Sequence, residues 1–270
     1  MPFLFSTTTT IDFTEELRDF DIDELAEFVA ISKWKGFSNQ AELWPPPQVY
    51  VGRFGEFTAP DDCIGAKIRG LNDGRILLIG ESRRSTEDIY AWILDWEGNL
   101  QSSFVVGDSL IFQVDAFHGG FAVMHDEEQR GPELGTRAYD LAGNLLYSDT
   151  DIFGCYATCQ VGTHSFLYVP FFNSTNARVV LIQIGSDDVR QSVWPIPEEL
   201  RMPGAVTTMD DTVYFWIWEK TKSTVYSWVF GSEHFEKVSE ADKLIHIRGL
   251  SNGRFLCWKQ DSFTILSVTE

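Results

Sequence analysis

Short, nearly continuous apolar runs recur along the chain, and most follow a tight polar turn. The runs are Ile76-Leu77-Leu78-Ile79, Phe121-Ala122-Val123-Met124, Phe166-Leu167-Tyr168-Val169, Val213-Tyr214-Phe215-Trp216-Ile217-Trp218 and Phe255-Leu256-Cys257-Trp258. Runs this short, rich in β-branched and aromatic residues, predict strands covered on both faces. The turns ahead of them are Asn72-Asp73-Gly74, His118-Gly119-Gly120, Asp210-Asp211 and Asn252-Gly253. Gly, Asn and Asp tolerate the positive φ that tight hairpins require. Before each turn lies a moderately apolar strand, such as Cys63 to Arg69 or Ser109 to Ala116.

This pattern is a repeat. Ile68-Arg69-Gly70-Leu71-Asn72-Asp73-Gly74-Arg75-Ile76-Leu77 returns as Ile247-Arg248-Gly249-Leu250-Ser251-Asn252-Gly253-Arg254-Phe255-Leu256, 179 positions later. That offset holds four units of about 45, the length of a four-stranded propeller blade. A second marker gives the same period: Asp95-Trp96-Glu97-Gly98-Asn99-Leu100 and Asp140-Leu141-Ala142-Gly143-Asn144-Leu145 lie 45 apart. In this Asp-x-x-Gly turn the carboxylate accepts local N–H groups and glycine takes the left-handed position.

Four-stranded antiparallel sheets with two buried faces must stack on one another, and a radial set of blades does so. On these residues the chain resembles uncharacterised bacterial β-propeller proteins with WD40-like or YVTN-like repeats, over roughly residues 48 to 270. The resemblance implies an all-β architecture and says little of activity, because this fold hosts enzymes, lectins and scaffolds. The Gly-His and Trp-Asp signatures of true WD40 repeats are absent.

Units begin near residues 63, 109, 152 and 204, with a last one near 244 that ends after Phe263 to Val268. Its missing strand is expected from the N-terminal side, with Gln48 to Thr58 as the candidate. Five blades are favoured. Six are possible, since 270 residues at about 45 per blade give six. Residues 1–47 read as a helical extension and 48–270 as a single propeller. Asp21-Ile22-Asp23-Glu24 resembles a capping box, and Ile22, Leu25, Ala26, Val29 and Trp34 fall at helical spacing up to Gly36.

Charge narrows the partners. Twenty-one Lys and Arg face 40 Asp and Glu, a formal net charge of −19. Nucleic acids and anionic lipid surfaces need Lys and Arg to displace counterions, so both are disfavoured, while the acidic surplus either attracts a cationic partner or serves solubility alone. No apolar stretch approaches the roughly 20 residues of a membrane helix. The start Met-Pro-Phe-Leu-Phe lacks a basic region and a long apolar core, so no signal peptide is expected. The four cysteines suit reduced core thiols, and a cytoplasmic, monomeric protein is expected.

Catalytic and metal-binding patterns are sparse. The five histidines form no close pair with Cys or Glu, and Cys155-x-x-x-Cys159 has no second pair, so no metal or cofactor is expected. No nucleophile elbow or phosphate loop occurs. Asp115, Asp62 and Glu81 lie where propeller glycosidases aim carboxylates, but equivalent acids are not repeated across units. Lectin propellers repeat a Trp or Arg. Here the tryptophans sit at inconsistent places, with Trp216 and Trp218 reading as packing between blades. Arg69 and Arg248 are equivalent in only two units, where tying neighbouring blade carbonyls is an equal reading. The binding candidates are Arg69, Arg248, Asp115, His118, Asp126 and Glu127. The sequence reads as a non-catalytic interaction module masking a cationic protein, inhibitor-like or immunity-like. A glycosidase or lectin is the alternative.

Overall fold

A computed structural model describes residues 3–10, 17–22, 28–32, 46–52, 55–71, 73–108, 111–125, 135–149, 155–170, 177–186, 188–242, 246–258 and 262–269. Strand β1 (Phe3–Thr10) is followed by a sheet of β2 (Leu17–Ile22), β3 (Phe28–Ser32), β4 (Gln48–Val51) and β5 (Gly55–Thr58). The next sheet holds β6 (Cys63–Leu71), β7 (Arg75–Ser82), β8 (Ser85–Asp95) and β9 (Leu100–Gly107). Strands β10 (Ile111–Phe117), β11 (Gly120–His125), β12 (Thr136–Asp140) and β13 (Leu145–Asp149) form the third. The fourth comprises β14 (Cys155–Val161), β15 (Ser165–Pro170), β16 (Arg178–Ile184) and β17 (Val189–Pro195). After one 3-10 turn at Glu198–Leu200 come β18 (Pro203–Met209), β19 (Thr212–Trp218), β20 (Lys222–Val229) and β21 (Phe235–Asp242). The last sheet has the order β1, β24 (Ser262–Thr269), β23 (Arg254–Trp258), β22 (Ile247–Gly249).

These six consecutive four-stranded antiparallel sheets are the blades of a β-propeller, and the count is six. The sequence missed the first blade because its inner strands were read as a helix. Residues 17–22 and 28–32 are strands, and no α-helix occurs among the described residues. The proposed helix residues 23–27 and 33–36 lie outside them. Asp19 and Asp21 alternate with Phe20 and Ile22, a strand pattern in which the carboxylates as well as the hydrophobes are buried. The strand that completes the last blade is β1, paired from Phe3 with Thr269 to Thr10 with Ser262. Gln48 to Thr58, expected in that role, forms β4 and β5 of the first blade.

The chain divides into two compact units, residues 13–151 and residues 1–12 with 152–270, with three blades in each. In the first unit one core cluster joins Val29, Ile31 and Val49 to Ile68, Ile76, Leu78 and Trp92, and another joins Leu77, Ile79 and Ile93 to Val114, Phe121 and Val123. In the second unit Leu167, Val179 and Val206 pack with Val213, Phe215 and Trp228, and Trp216 packs with Phe255 and Cys257. The apolar second strands β7 and β19 each send alternate residues into two of these clusters, so adjacent sheets share a core. Burying one such Leu, Ile or Phe contributes about 1.5–3 kcal/mol.

Outer strands lock to the next blade by a recurring device. A Cβ on Gly98 would stand 2.7 Å from the Phe57 ring, and one on Gly143 would stand 2.8 Å from the Phe104 ring. Both glycines have positive φ, 88° and 91°, in the Asp-x-x-Gly turns. In the second unit Trp194 lies 4.6 Å, centroid to centroid, from Phe230, beside the Gly231 turn. An aromatic side chain of one blade thus seats a turn of the next.

Candidate functional site

The polar groups of the first unit converge on the innermost strands β2, β6 and β10. Asp19 Oδ2 accepts the Ile68 N–H at 3.0 Å and a charged bond from Arg69 Nη1 at 2.6 Å. Asp21 Oδ2 accepts the Gly70 N–H at 3.0 Å, and its Oδ1 accepts the Ile22 N–H at 2.8 Å. Arg69 Nε donates onward to the Val114 carbonyl at 2.7 Å, and Nη1 also reaches the Ile68 carbonyl. All three side chains are buried, at 7%, 4% and 3% exposure. A buried guanidinium with a carboxylate and carbonyls around it is satisfied, and removing one partner would strand the other. Arg69 is therefore a tie between three blades, the structural role that the sequence weighed equally with ligand contact.

Asp115 occupies the same register as Arg69, facing Ala122 where Arg69 faces Leu77. Its Oδ1 accepts the Ala116 N–H at 3.0 Å, and the residue is buried. Arg248, in the other unit, faces Leu256 in the corresponding register and is half-buried. His118 lies exposed in the β10–β11 turn. Asp126 and Glu127 lie outside the described residues. The six candidates thus share a register at three positions, and the structure does not gather them into one constellation among the described residues.

Of the carboxylates considered for glycoside chemistry, Asp62 precedes β6 rather than lying in register with Asp115. It binds Arg84 Nε at 2.5 Å, Ser82 Oγ at 3.3 Å and Trp92 Nε1 at 3.4 Å. Glu81 is exposed on β7. Asp95 and Asp140 cap their own turns: each Oδ1 accepts two amides, from Glu97 and Asn99 or from Ala142 and Asn144. The Asn99 side chain, with those amides, holds the Asp95 carboxyl below its ordinary range. Around Asp140 partial burial pushes upward, and the Asn144 side chain and the turn amides outweigh it.

All four cysteines are buried and none forms a disulfide. Burial, followed by the Asp62 charge, pushes Cys63 up to about 12, and burial pushes Cys257 up to about 12. Both stay protonated at neutral pH, which makes them poor nucleophiles and metal ligands. No group of three or more His, Cys, Asp and Glu side chains is placed to hold a metal among the described residues. Trp216 is fully buried against Phe255, as its packing role predicts, but Trp218 is 46% exposed and rests over Gly204. An open pocket of about 260 Å³ in the fourth blade is lined by His164, Gln183, Asp188 and Arg190, with Arg190 Nε paired to Asp188 at 2.8 Å.

Sequence reasoning missed Asp19 as the partner of Arg69 and Asp21 as the acceptor of the Gly70 amide. The period-2 alternation of Leu17 to Ile22 was the available signal.

No protein-family model matches this chain, and no curated protein is similar to it in sequence. The bacterial resemblance therefore has no support from a sequence family, whereas the propeller fold is shared with solved structures. A chain from a study of two prolyl endopeptidases superposes with a TM-score of 0.58 at 11% identity, over 97% of this chain and 39% of that one. The complex of KlAtg21 with the coiled coil of AgAtg16 gives 0.56 at 14% identity, covering 90% and 78%. A chain of the mitotic checkpoint complex gives 0.52 at 10% identity, covering 98% and 95%. At these identities the likeness is one of fold alone.

Proposed function

We propose that this chain is a non-catalytic protein-binding module whose acidic surface engages a cationic protein partner, as an inhibitor or immunity-type protein would. The observation that carries this reading is the division of labour among its carboxylates. The buried acids Asp19, Asp21 and Asp115 accept backbone amides, and Asp95 and Asp140 are committed to turns. The excess of acid, net −19 over the chain, is thereby left to the surface, with Glu97, Asp210, Asp211, Glu233 and Glu236 exposed. Such a field raises association rates with cationic partners and repels nucleic acid and anionic lipid. Two structures of similar fold are protein complexes, one with a coiled coil and one a checkpoint assembly, which agrees with a binding role.

The test is capture from native lysate on the immobilised chain with stepwise salt elution, followed by calorimetry on the purified partner. A basic protein binding at one site, more weakly as salt rises, supports the reading. An acidic partner or salt-independent binding overturns it, and turnover of chromogenic glycosides overturns its non-catalytic half.

A further inference from the structure

One cation of the first unit is stranded. Arg83 Nε and Nη2 are buried and meet no hydrogen-bond acceptor among the described residues. Arg83 and Arg84 form the two-residue turn between β7 and β8, fixed by the Arg83 N–H to the Asp62 carbonyl at 2.8 Å and the Arg84 N–H to Ser82 Oγ at 3.1 Å. The Arg84 guanidinium is engaged: Nε with Asp62, Nη1 with Ser103 Oγ at 3.2 Å, and its face 5.7 Å from the Tyr90 ring centroid. Asp62 is thus committed to Arg84, Ser82 and Trp92.

A second cation belongs to the same corner. Arg18, exposed on β2 of the neighbouring sheet, acts with Arg83 on the proton of Cys63 against the opposing charges of Asp62 and Glu81, so all four groups lie within electrostatic reach of that thiol. An arginine cannot shed its charge to escape burial. Nε and Nη2 share one edge of the guanidinium, the fork that takes two oxygens of a carboxylate or phosphate. At physiological salt the Debye length is about 8 Å, so acids on distant sheets are screened from this corner; of its own two acids, Asp62 is taken by Arg84 and Glu81 is exposed to solvent.

We propose that the Nε/Nη2 edge of Arg83, with Arg18 supplying a second positive charge, is a binding site for a small oxyanion of the phosphate or carboxylate class. The site is separate from the acidic surface assigned to the protein partner.

The test uses the intact chain, following arginine Nε–H resonances by NMR during titration with inorganic phosphate or acetate at constant ionic strength set with chloride. One Nε resonance, missing in Arg83→Lys, is expected to shift saturably, and the anion acting at lower concentration identifies the class. Arg83→Lys keeps the charge but loses the fork and should bind about tenfold more weakly. Arg18→Gln should weaken binding several-fold. No saturable shift with either anion up to tens of millimolar overturns the proposal, as does undiminished binding in Arg83→Lys. Thermal unfolding gives an independent check should Arg83→Lys fold poorly. Wild-type stability should rise with the binding anion and that of Arg83→Met should not, whereas a more stable Arg83→Met alongside an indifferent wild type marks a merely stranded arginine.

Discussion

Arg69 donates its Nε–H to the Val114 carbonyl at 2.7 Å while its Nη1 holds Asp19 at 2.6 Å, so one side chain fastens the innermost strands of three successive blades. Substituting it with methionine removes the counter-ion of Asp19 and strands two carbonyls. Breaking a buried ion pair from one side costs about 3–5 kcal/mol. Urea unfolding of Arg69→Met should show a loss of that size, and a loss no larger than that of an exposed substitution would contradict the tie.

Gly249 lies against the Val206 carbonyl oxygen of the neighbouring blade so closely that a Cβ would overlap it. Gly249→Ala must therefore push two inner strands apart. Gly119, with φ of 83° and nothing within 4 Å of its Cβ position, bears only the conformational penalty of about 1 kcal/mol. Thermal melts of the two variants should separate them, with Gly249→Ala the far less stable.

Asp95 and Asp140 are held below their ordinary range in the folded chain, so each binds protons less readily there than when unfolded. Their contribution is present above the unfolded carboxylate range, near pH 4, and is lost as pH falls through the lower folded values. Asp95→Asn with Asp140→Asn keeps the turn-forming side chains and removes the titration. The double variant should lose less stability than the wild type between pH 5 and about pH 3. Parallel pH profiles would show that these turns do not titrate with folding.

Cys63 and Cys257, both pushed up to about 12, should resist iodoacetamide in the folded chain at pH 8 and react once urea unfolds it. Mass spectrometry of the alkylated protein reads this directly, and fast labelling of either in the folded state would contradict their burial.

What could be read from the sequence depended on whether the information was local. The doubly covered strands Ile76–Ile79 and Phe121–Met124 and the Asp95 and Asp140 turns repeat at a fixed period, and each explains itself within a few residues. The first blade was hidden because Asp21 looked like a helix-capping acid. Asp19 and Asp21 are buried against the amides of Ile68 and Gly70, about fifty residues away. Repetition flagged Arg69 and Arg248, but the acceptor that decides the role of Arg69 sits on another blade. Arg83 carried no signal, since its isolation results from Arg84 taking Asp62.

The functional account stands on the exposed acids. Its most direct test is the salt dependence of association with the captured basic partner, comparing wild type with an Asp210→Asn, Asp211→Asn, Glu233→Gln, Glu236→Gln variant. The account predicts weaker affinity and a shallower fall of log K with log salt in the variant. Equal affinity and equal slope in the two proteins would contradict it.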